Sequence, residues 1–224
     1  MVNATVWLRR IGHGDRTAPV VECYISAGMY QPPPSLSIDL QANRAADKYS
    51  RAEQLRRIAW SLGRWLIRLS PRPCFAWRRL VMRLFGARVG QHVHVYPSTH
   101  LYMPWNVQIG DWSALGEDVF VYSLGKVTIG QRVTVSYRAH ICAGTHDFTD
   151  PTLRLLKPPV TLADDVWIGT DAFIGPGVSL GRGVIVGARA VVVKNVDPML
   201  IVVGHPAHSV GRRGTAACAD QDGR

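Results

Sequence analysis

The 224-residue sequence contains no apolar run of about 18 residues, so nothing in it predicts a membrane-spanning helix. It also lacks an opening stretch in the order basic, apolar, small that marks an export signal, and the chain is expected to be cytoplasmic. Cysteine is scarce and scattered. Cys23, Cys74, Cys142 and Cys218 show no metal-ligand spacing and fall in different kinds of segment, which is the pattern of free thiols. Acidic residues number 16 against 26 lysines and arginines, a net charge of +10. No recognition motif accompanies that charge, so nucleic acid is not expected as a partner. Residues 1–35 have no sustained hydrophobic period and end in Pro32, Pro33 and Pro34; they are expected to form a poorly ordered extension. Gly211 to Arg224 is expected to fray for the same reason.

What the sequence does contain is a period of six. Leu162, Ile168, Ile174, Leu180, Val186 and Val192 recur at that step, and glycine often follows. A helix repeats near 3.6 and a half-buried strand at 2, whereas three six-residue strands complete one 18-residue turn of a solenoid. Upstream, Val89, Val95, Leu101 and Val107 keep the step, Ile109 restarts it two residues late, and Ile129 does so again after Leu115, Val121 and Val127. The period predicts five turns over 89–197, stacked about 4.8 Å apart, with each aliphatic residue inside a triangular prism. Residues 147–161 are left over as an inserted loop, and 198–224 as a C-terminal segment and tail.

Residues 36–88 are expected to be a helical arm. Leu55, Ile58, Ala59, Leu62, Trp65, Leu66 and Leu69 share one helical face, Pro71 and Pro73 interrupt, and a second amphipathic segment carries Phe75, Trp77, Leu80, Val81, Leu84 and Phe85 against Arg78, Arg79 and Arg83. Two roles suit it: the apolar faces pack on the open first turn, or the arginine- and tryptophan-rich surface rests on an anionic membrane.

Chemistry is expected where the repeat breaks. His146 closes the third turn directly before the insertion, and a neutral imidazole there suits a general base that takes a proton from an alcohol or amine attacking an acyl donor. A carbonyl of the neighbouring turn is expected to fix its tautomer. A surface histidine satisfied by water remains the alternative on the residues alone. Cys142, four residues earlier, reads as a packing thiol, and no acyl-enzyme is needed.

The strings SPRPCFAWRRLVMRLFGARVG at 70–90, MPWNVQIGDWSALG at 103–116, VTIGQRVTVSYRAHICAGTHDFTDP at 127–151, VWIGTDAFIGPGVSLGRGVIVGARAVVVKNV at 166–196 and VGHPA at 203–207 resemble the colanic acid biosynthesis acetyltransferases, a branch of the hexapeptide-repeat maltose, galactoside and nodulation O-acetyltransferases. The resemblance covers about residues 36–210. It implies a left-handed parallel β-helix with short N-terminal helical segments, and transfer of acetyl from acetyl-CoA to a hydroxyl of a sugar or lipid-linked saccharide in exopolysaccharide biosynthesis. It further implies a homotrimer with sites between subunits, His146 as general base, and Trp167, Gly169, Ala188 and Lys194 along the coenzyme A groove. In the closing motif His205 stands where the family usually has asparagine, and Gly211 where an arginine often follows the proline, so phosphate contact is expected to shift to Arg212 or to be lost.

Two other classes compete. Zinc enzymes resembling γ-type carbonic anhydrases share the solenoid, but two of their histidine ligands are five residues apart, whereas His140 and His146 are six apart and His92 and His94 two apart, so no metal is expected. A silent β-helix scaffold is the other rival. Protection against heating by coenzyme A would favour the transferase, bound zinc the anhydrase, and neither the scaffold.

Overall fold

The computed structural model describes residues 37–214. Every element described here lies from Asp39 on. The extension 1–35, Cys23, Cys218 and the tail beyond Gly214 lie outside the described residues.

Three parallel sheets form the faces of a prism. Face 1 stacks Arg88–Val89, Val107–Ile109, Val127–Ile129, Val160–Leu162 and Ser179–Leu180. Face 2 stacks His94–Val95, Ala114–Leu115, Thr134–Val135, Trp167–Ile168 and Ile185–Val186. Face 3 stacks His100–Leu101, Phe120–Tyr122, His140–Cys142, Phe173–Ile174 and Val191–Val192. This is the left-handed β-helix that the period of six predicts. The inward residues named above, from Val89 through Val192, are all at most 8 % exposed. Their burial, worth roughly 1.5–3 kcal/mol for each large aliphatic side chain, is what holds strands of only two or three residues in place.

Two details of the repeat acquire a cause. A Cβ on Gly110 would lie 2.6 Å from the Gly130 backbone carbon, and one on Gly130 would lie 2.7 Å from the Asp164 nitrogen. The left-handed backbone of these corners falls two residues later, at Trp112 and Arg132. These glycines are therefore dictated by the close approach of stacked turns and not by the corner's dihedral angles. The two-residue restart arises because Val107 and Ile109, like Val127 and Ile129, both point inward around an outward Gln108 or Thr128. Every departure from the strict period thus falls on the edge where face 3 passes to face 1.

The solenoid runs further than 197. Val196 bridges Leu180, Leu200–Val203 adds to face 2 beside Ile185 and Val186, and His208–Arg212 turns back antiparallel against it. Gly211 and Arg212 are therefore strand residues, and the expected fraying does not begin there.

Three helices, α1 (Leu40–Ala45), α2 (Arg51–Arg68) and α3 (Phe75–Leu84), precede the first turn. Ser50 and Glu53 close a capping box that starts α2. Next to the strands, N–H groups of one turn bond to carbonyls of the next, as Gly90 N–H does to Ile109 O and His94 N–H to Ser113 O, whereas at a corner Trp112 N–H bonds back to Gln91 O. The carbonyls of Val89, Gly90, Val93, Val95 and Leu101 in the first turn have no preceding strand to receive them, and a buried orphan carbonyl is costly. Side chains of the arm fill this role. Arg83 donates to Val89 O at 2.9 Å and Gly90 O at 2.8 Å, Arg79 to Val93 O at 3.0 Å, Arg78 to Val95 O, and the Trp60 indole to Leu101 O at 2.9 Å.

The apolar face expected to do the packing is not the one that does. Trp60, Gly63 and Ile67 pack on the prism, while Leu55, Ile58, Leu62, Trp65 and Leu69 point away from it. In α3, Arg78 is fully buried beside Val81 and Met82, and Trp77, Leu80 and Leu84 are exposed. Capping needed hydrogen-bond donors as well as apolar surface, and a hydrophobic pattern does not register that demand.

Candidate active site

His146 lies on a two-residue strand, Thr145–His146, that pairs antiparallel with Leu155–Leu156. The insertion thus folds back on the histidine as a hairpin instead of simply projecting. Two repeats of Asp-x-Thr shape its tip. Asp147 Oδ1 accepts from Thr149 N–H at 3.1 Å and from its hydroxyl at 2.6 Å; Asp150 Oδ1 accepts the same pair from Thr152, both at 2.8 Å. The Thr149 hydroxyl and N–H hold the Asp147 carboxyl below its ordinary range, and Arg154 adds to this.

The turn delivers the Leu153 carbonyl to His146 Nδ1, 2.6 Å away. A carbonyl only accepts, so Nδ1 carries the proton and Nε2 keeps its lone pair. The orienting carbonyl comes from the insertion itself, seven residues on, and not from a neighbouring turn. Asn43 on α1 clasps the same segment: its amide donates to Thr152 O and, at 3.4 Å, to Leu153 O, while Lys48 Nζ donates to Asn43 Oδ1 at 2.7 Å. The arm therefore helps to position His146, a link the sequence analysis missed. The Asp-x-Thr doublets were its one local signal.

Beside this edge stand Tyr102 and Tyr122, stacked on successive turns, with Arg57 donating to the Tyr102 hydroxyl at 2.9 Å. Burial and the neighbouring tyrosines push Tyr49 up to about 12, with Arg57 opposing. Cys142 follows Tyr122 in the stack; burial raises its thiol, which donates to Gly144 O at 3.2 Å. A protonated, hydrogen-bonded thiol is a poor nucleophile.

The expected cofactor residues are not gathered on one edge. Trp167 stands half out of face 2 with its indole N–H on Ser136 Oγ at 3.1 Å, and Gly169 and the exposed Ala188 follow at the edge where face 2 passes to face 3. Gly169 is explained by stacking alone, since a Cβ there would meet Ala188 N at 2.7 Å. Lys194 is exposed on the other edge, the one carrying His146, two turns further along or about 10 Å by strand spacing. Arg212 lies in the returning strand opposite Leu200, toward face 1 and away from Ala188, while Arg213 donates to Asp165 O at 2.6 Å. Within one chain, His146 and the Trp167–Ala188 strip flank face 3 on opposite sides.

Three of the four histidines weighed as metal ligands are engaged in ring packing: His92 stacks on Trp112, His94 on Phe75, and His140 lies edge-on between Phe120 and Phe173. Among the described residues no group of three or more His, Cys, Asp or Glu side chains is placed to hold a metal ion.

The model of bacterial transferase hexapeptide repeats matches residues 159–194. A colanic acid biosynthesis acetyltransferase named WcaF from Escherichia coli K12 is 34 % identical over 154 residues, 69 % of this chain and 85 % of that one, and a counterpart from Shigella flexneri matches equally. Among solved structures, a hexapeptide-repeat acetyltransferase from Vibrio cholerae is 25 % identical with a TM-score of 0.68, over 77 % of this chain and 98 % of that one. A galactoside acetyltransferase has the same fold, with a TM-score of 0.68 at 20 % identity over 79 % of this chain and 92 % of that one. With a shared solenoid and identity at this level across more than two thirds of its length, the chain belongs to the WcaF-like colanic acid biosynthesis acetyltransferases of the hexapeptide-repeat family.

Proposed function

We propose that the protein transfers acetyl from acetyl-CoA directly to a sugar hydroxyl, as a step in exopolysaccharide biosynthesis, with His146 as the general base. The observation that carries this is the 2.6 Å contact between His146 Nδ1 and Leu153 O, which leaves Nε2 as the proton acceptor on an exposed strand. Acetyl-CoA supplies an activated thioester. The acceptor oxygen gives its proton to Nε2 as its bond to the acetyl carbon forms, and that proton passes to the sulfur as the C–S bond breaks. No covalent enzyme intermediate is required, consistent with the protonated state favoured for Cys142.

Trp167, Gly169 and Ala188 suit the apolar pantetheine arm, and Lys194 and Arg212 the polyanionic nucleotide end. Because the strip and the base lie on opposite sides of face 3, a complete site calls for two chains. Face 3 is suited to lie between copies: its outward positions are His100, Phe120, His140, Phe173 and Val191, whereas face 1 presents Arg88, Gln108, Thr128, Thr161 and Ser179. His140 Nε2 is buried with no hydrogen-bond partner among the described residues, and burial pushes that imidazole toward neutrality. Three chains with face 3 around the axis would set each His146 edge against a neighbour's Trp167 edge. In this assembly residues 36–88 act as a capping arm and 89–197 as the acetyltransferase domain. The acceptor class is a sugar or a lipid-linked saccharide, the latter met at the inner face of the membrane by a cytoplasmic enzyme.

The test is His146→Ala. Turnover on an identified acceptor should fall by roughly 10²- to 10⁴-fold, the usual worth of a general base, with melting temperature and coenzyme A affinity unchanged. A fully active variant would overturn the assignment.

A further inference from the structure

Helix α2 is apolar on two opposite sides, and only one of them is used by the fold. Trp60, Gly63 and Ile67 close the prism. Leu55, Ile58, Leu62, Trp65 and Leu69, spaced three, four, three and four residues apart, form an outer stripe in which every member is at least 61 % exposed. The Trp77 indole donates to Leu66 O at 3.1 Å, which sets the outward residues of α3, Trp77, Leu80 and Leu84, beside that stripe. The resulting surface carries two tryptophans and six aliphatic side chains with nothing among the described residues over it, and contiguous apolar surface of this kind marks a contact site.

Charge selects the occupant. Residues 51–88 hold ten arginines against a single carboxylate, Glu53, so this segment carries nearly all of the chain's net +10. A second copy seated on the stripe would bring that surplus against itself. Arg78, Arg79 and Arg83 are committed to the first-turn carbonyls, but Arg51, Arg56 and Arg68 have no hydrogen-bond or ion-pair partner among the described residues. At 100° per residue, Arg51 falls within the stripe at its start and Arg68 along one border, whereas Arg56 falls well outside it, beside Phe85 and Trp105.

We infer that the outer face of α2 and α3 is a peripheral anchor for an anionic lipid bilayer. The leucines, Ile58, Trp65 and Trp77 enter the boundary between headgroups and acyl chains, while Arg51 and Arg68 meet lipid phosphates. The capped first turn then faces the bilayer and the stack points away from it. This follows from the helices alone and is independent of the acetyltransferase reading.

The experiment is flotation of the full-length protein with phosphatidylglycerol–phosphatidylcholine vesicles and with phosphatidylcholine vesicles, in the absence of acetyl-CoA. Binding to the anionic vesicles is expected, with a blue shift of tryptophan emission, and should weaken sharply between 0.1 and 1 M salt as the Debye length falls from about 10 to 3 Å. Leu62→Gln with Trp65→Gln should reduce binding by about tenfold or more. Arg51→Glu with Arg68→Glu should reduce it on the order of a hundredfold. All four positions are exposed, so melting temperatures should stay near the parent's, and His146→Ala should bind vesicles as the parent does. No binding, equal binding to neutral vesicles, or unchanged binding by either variant would overturn the inference. So would hydroxyl-radical footprinting that finds Trp65 and Trp77 protected without lipid, since another part of the chain or another copy would then cover the face.

Discussion

The His146 ring is held by a carbonyl seven residues on, and the turn that carries this carbonyl is clasped by the side chain of Asn43. Leu153 O fixes the tautomer, and Asn43 holds the turn that presents Leu153. Asn43 is a positioning residue, and Asn43→Ala should lower kcat by roughly tenfold to a hundredfold, the effect of a small displacement of a catalytic group, while KM for acetyl-CoA stays constant. Steady-state kinetics with both substrates separates these; a rise in KM alone would assign Asn43 to binding. Cys142 is the contrasting case. Its thiol is pushed up by burial and so stays protonated at neutral pH. Cys142→Ala should remain active, and trapped acetyl-cysteine in the parent enzyme would contradict direct transfer.

At the scale of elements, the inward row and the helical cap impose different demands. Ile174 lies fully buried in a dry prism, and Ile174→Asp should cost several kcal/mol, about 3 or more, because a carboxyl would be stranded without a partner. Denaturant titration checks this, and parental stability would mean the register is wrong. The cap depends on donors. Arg78 is fully buried and gives hydrogen bonds to Val95 O, Ser70 Oγ, Pro71 O and Arg72 O. Arg78→Met keeps the bulk but orphans those acceptors, and should destabilise by about 3 kcal/mol, within the range for lost charge-assisted bonds and unpaired buried carbonyls. If that variant melts with the parent, the carbonyls of the first turn are satisfied by water instead.

At the scale of the whole molecule, the prediction concerns the division of the site between chains. Light scattering should return three times the chain mass. More pointed is complementation: His146→Ala and Ala188→Trp should each be inactive alone, because one loses the base and the other fills the proposed groove. Co-assembled at random, about a quarter of shared sites would combine an intact base with an intact neighbouring groove, so activity should reappear in the mixture. A site contained in one chain would stay silent in the mixture, and an Ala188→Trp variant active by itself would mean that the groove lies elsewhere.

The sequence by itself determined the solenoid, its inward rows and the place where the repeat breaks. A period of six is local, and each aliphatic residue from Val89 to Val192 needs only its own strand to point inward. His146 was legible for the same reason, as the residue at the break. The orienting carbonyl of Leu153, the clasp from Asn43 and the burial of Arg78 were not, because each joins segments whose separation in sequence says nothing about their distance in space. The two sides of α2 make the same point. Hydrophobic periodicity selected Leu55, Ile58, Leu62, Trp65 and Leu69 as the packed face, yet the prism took Trp60, Gly63 and Ile67. An indole N–H was needed for Leu101 O, and a Cβ on Gly63 would come within 2.5 Å of the Trp60 ring and 2.8 Å of Phe85. Which of two apolar sides a helix buries depends on the shape and unpaired carbonyls of what it covers, and those exist only once the first turn has formed.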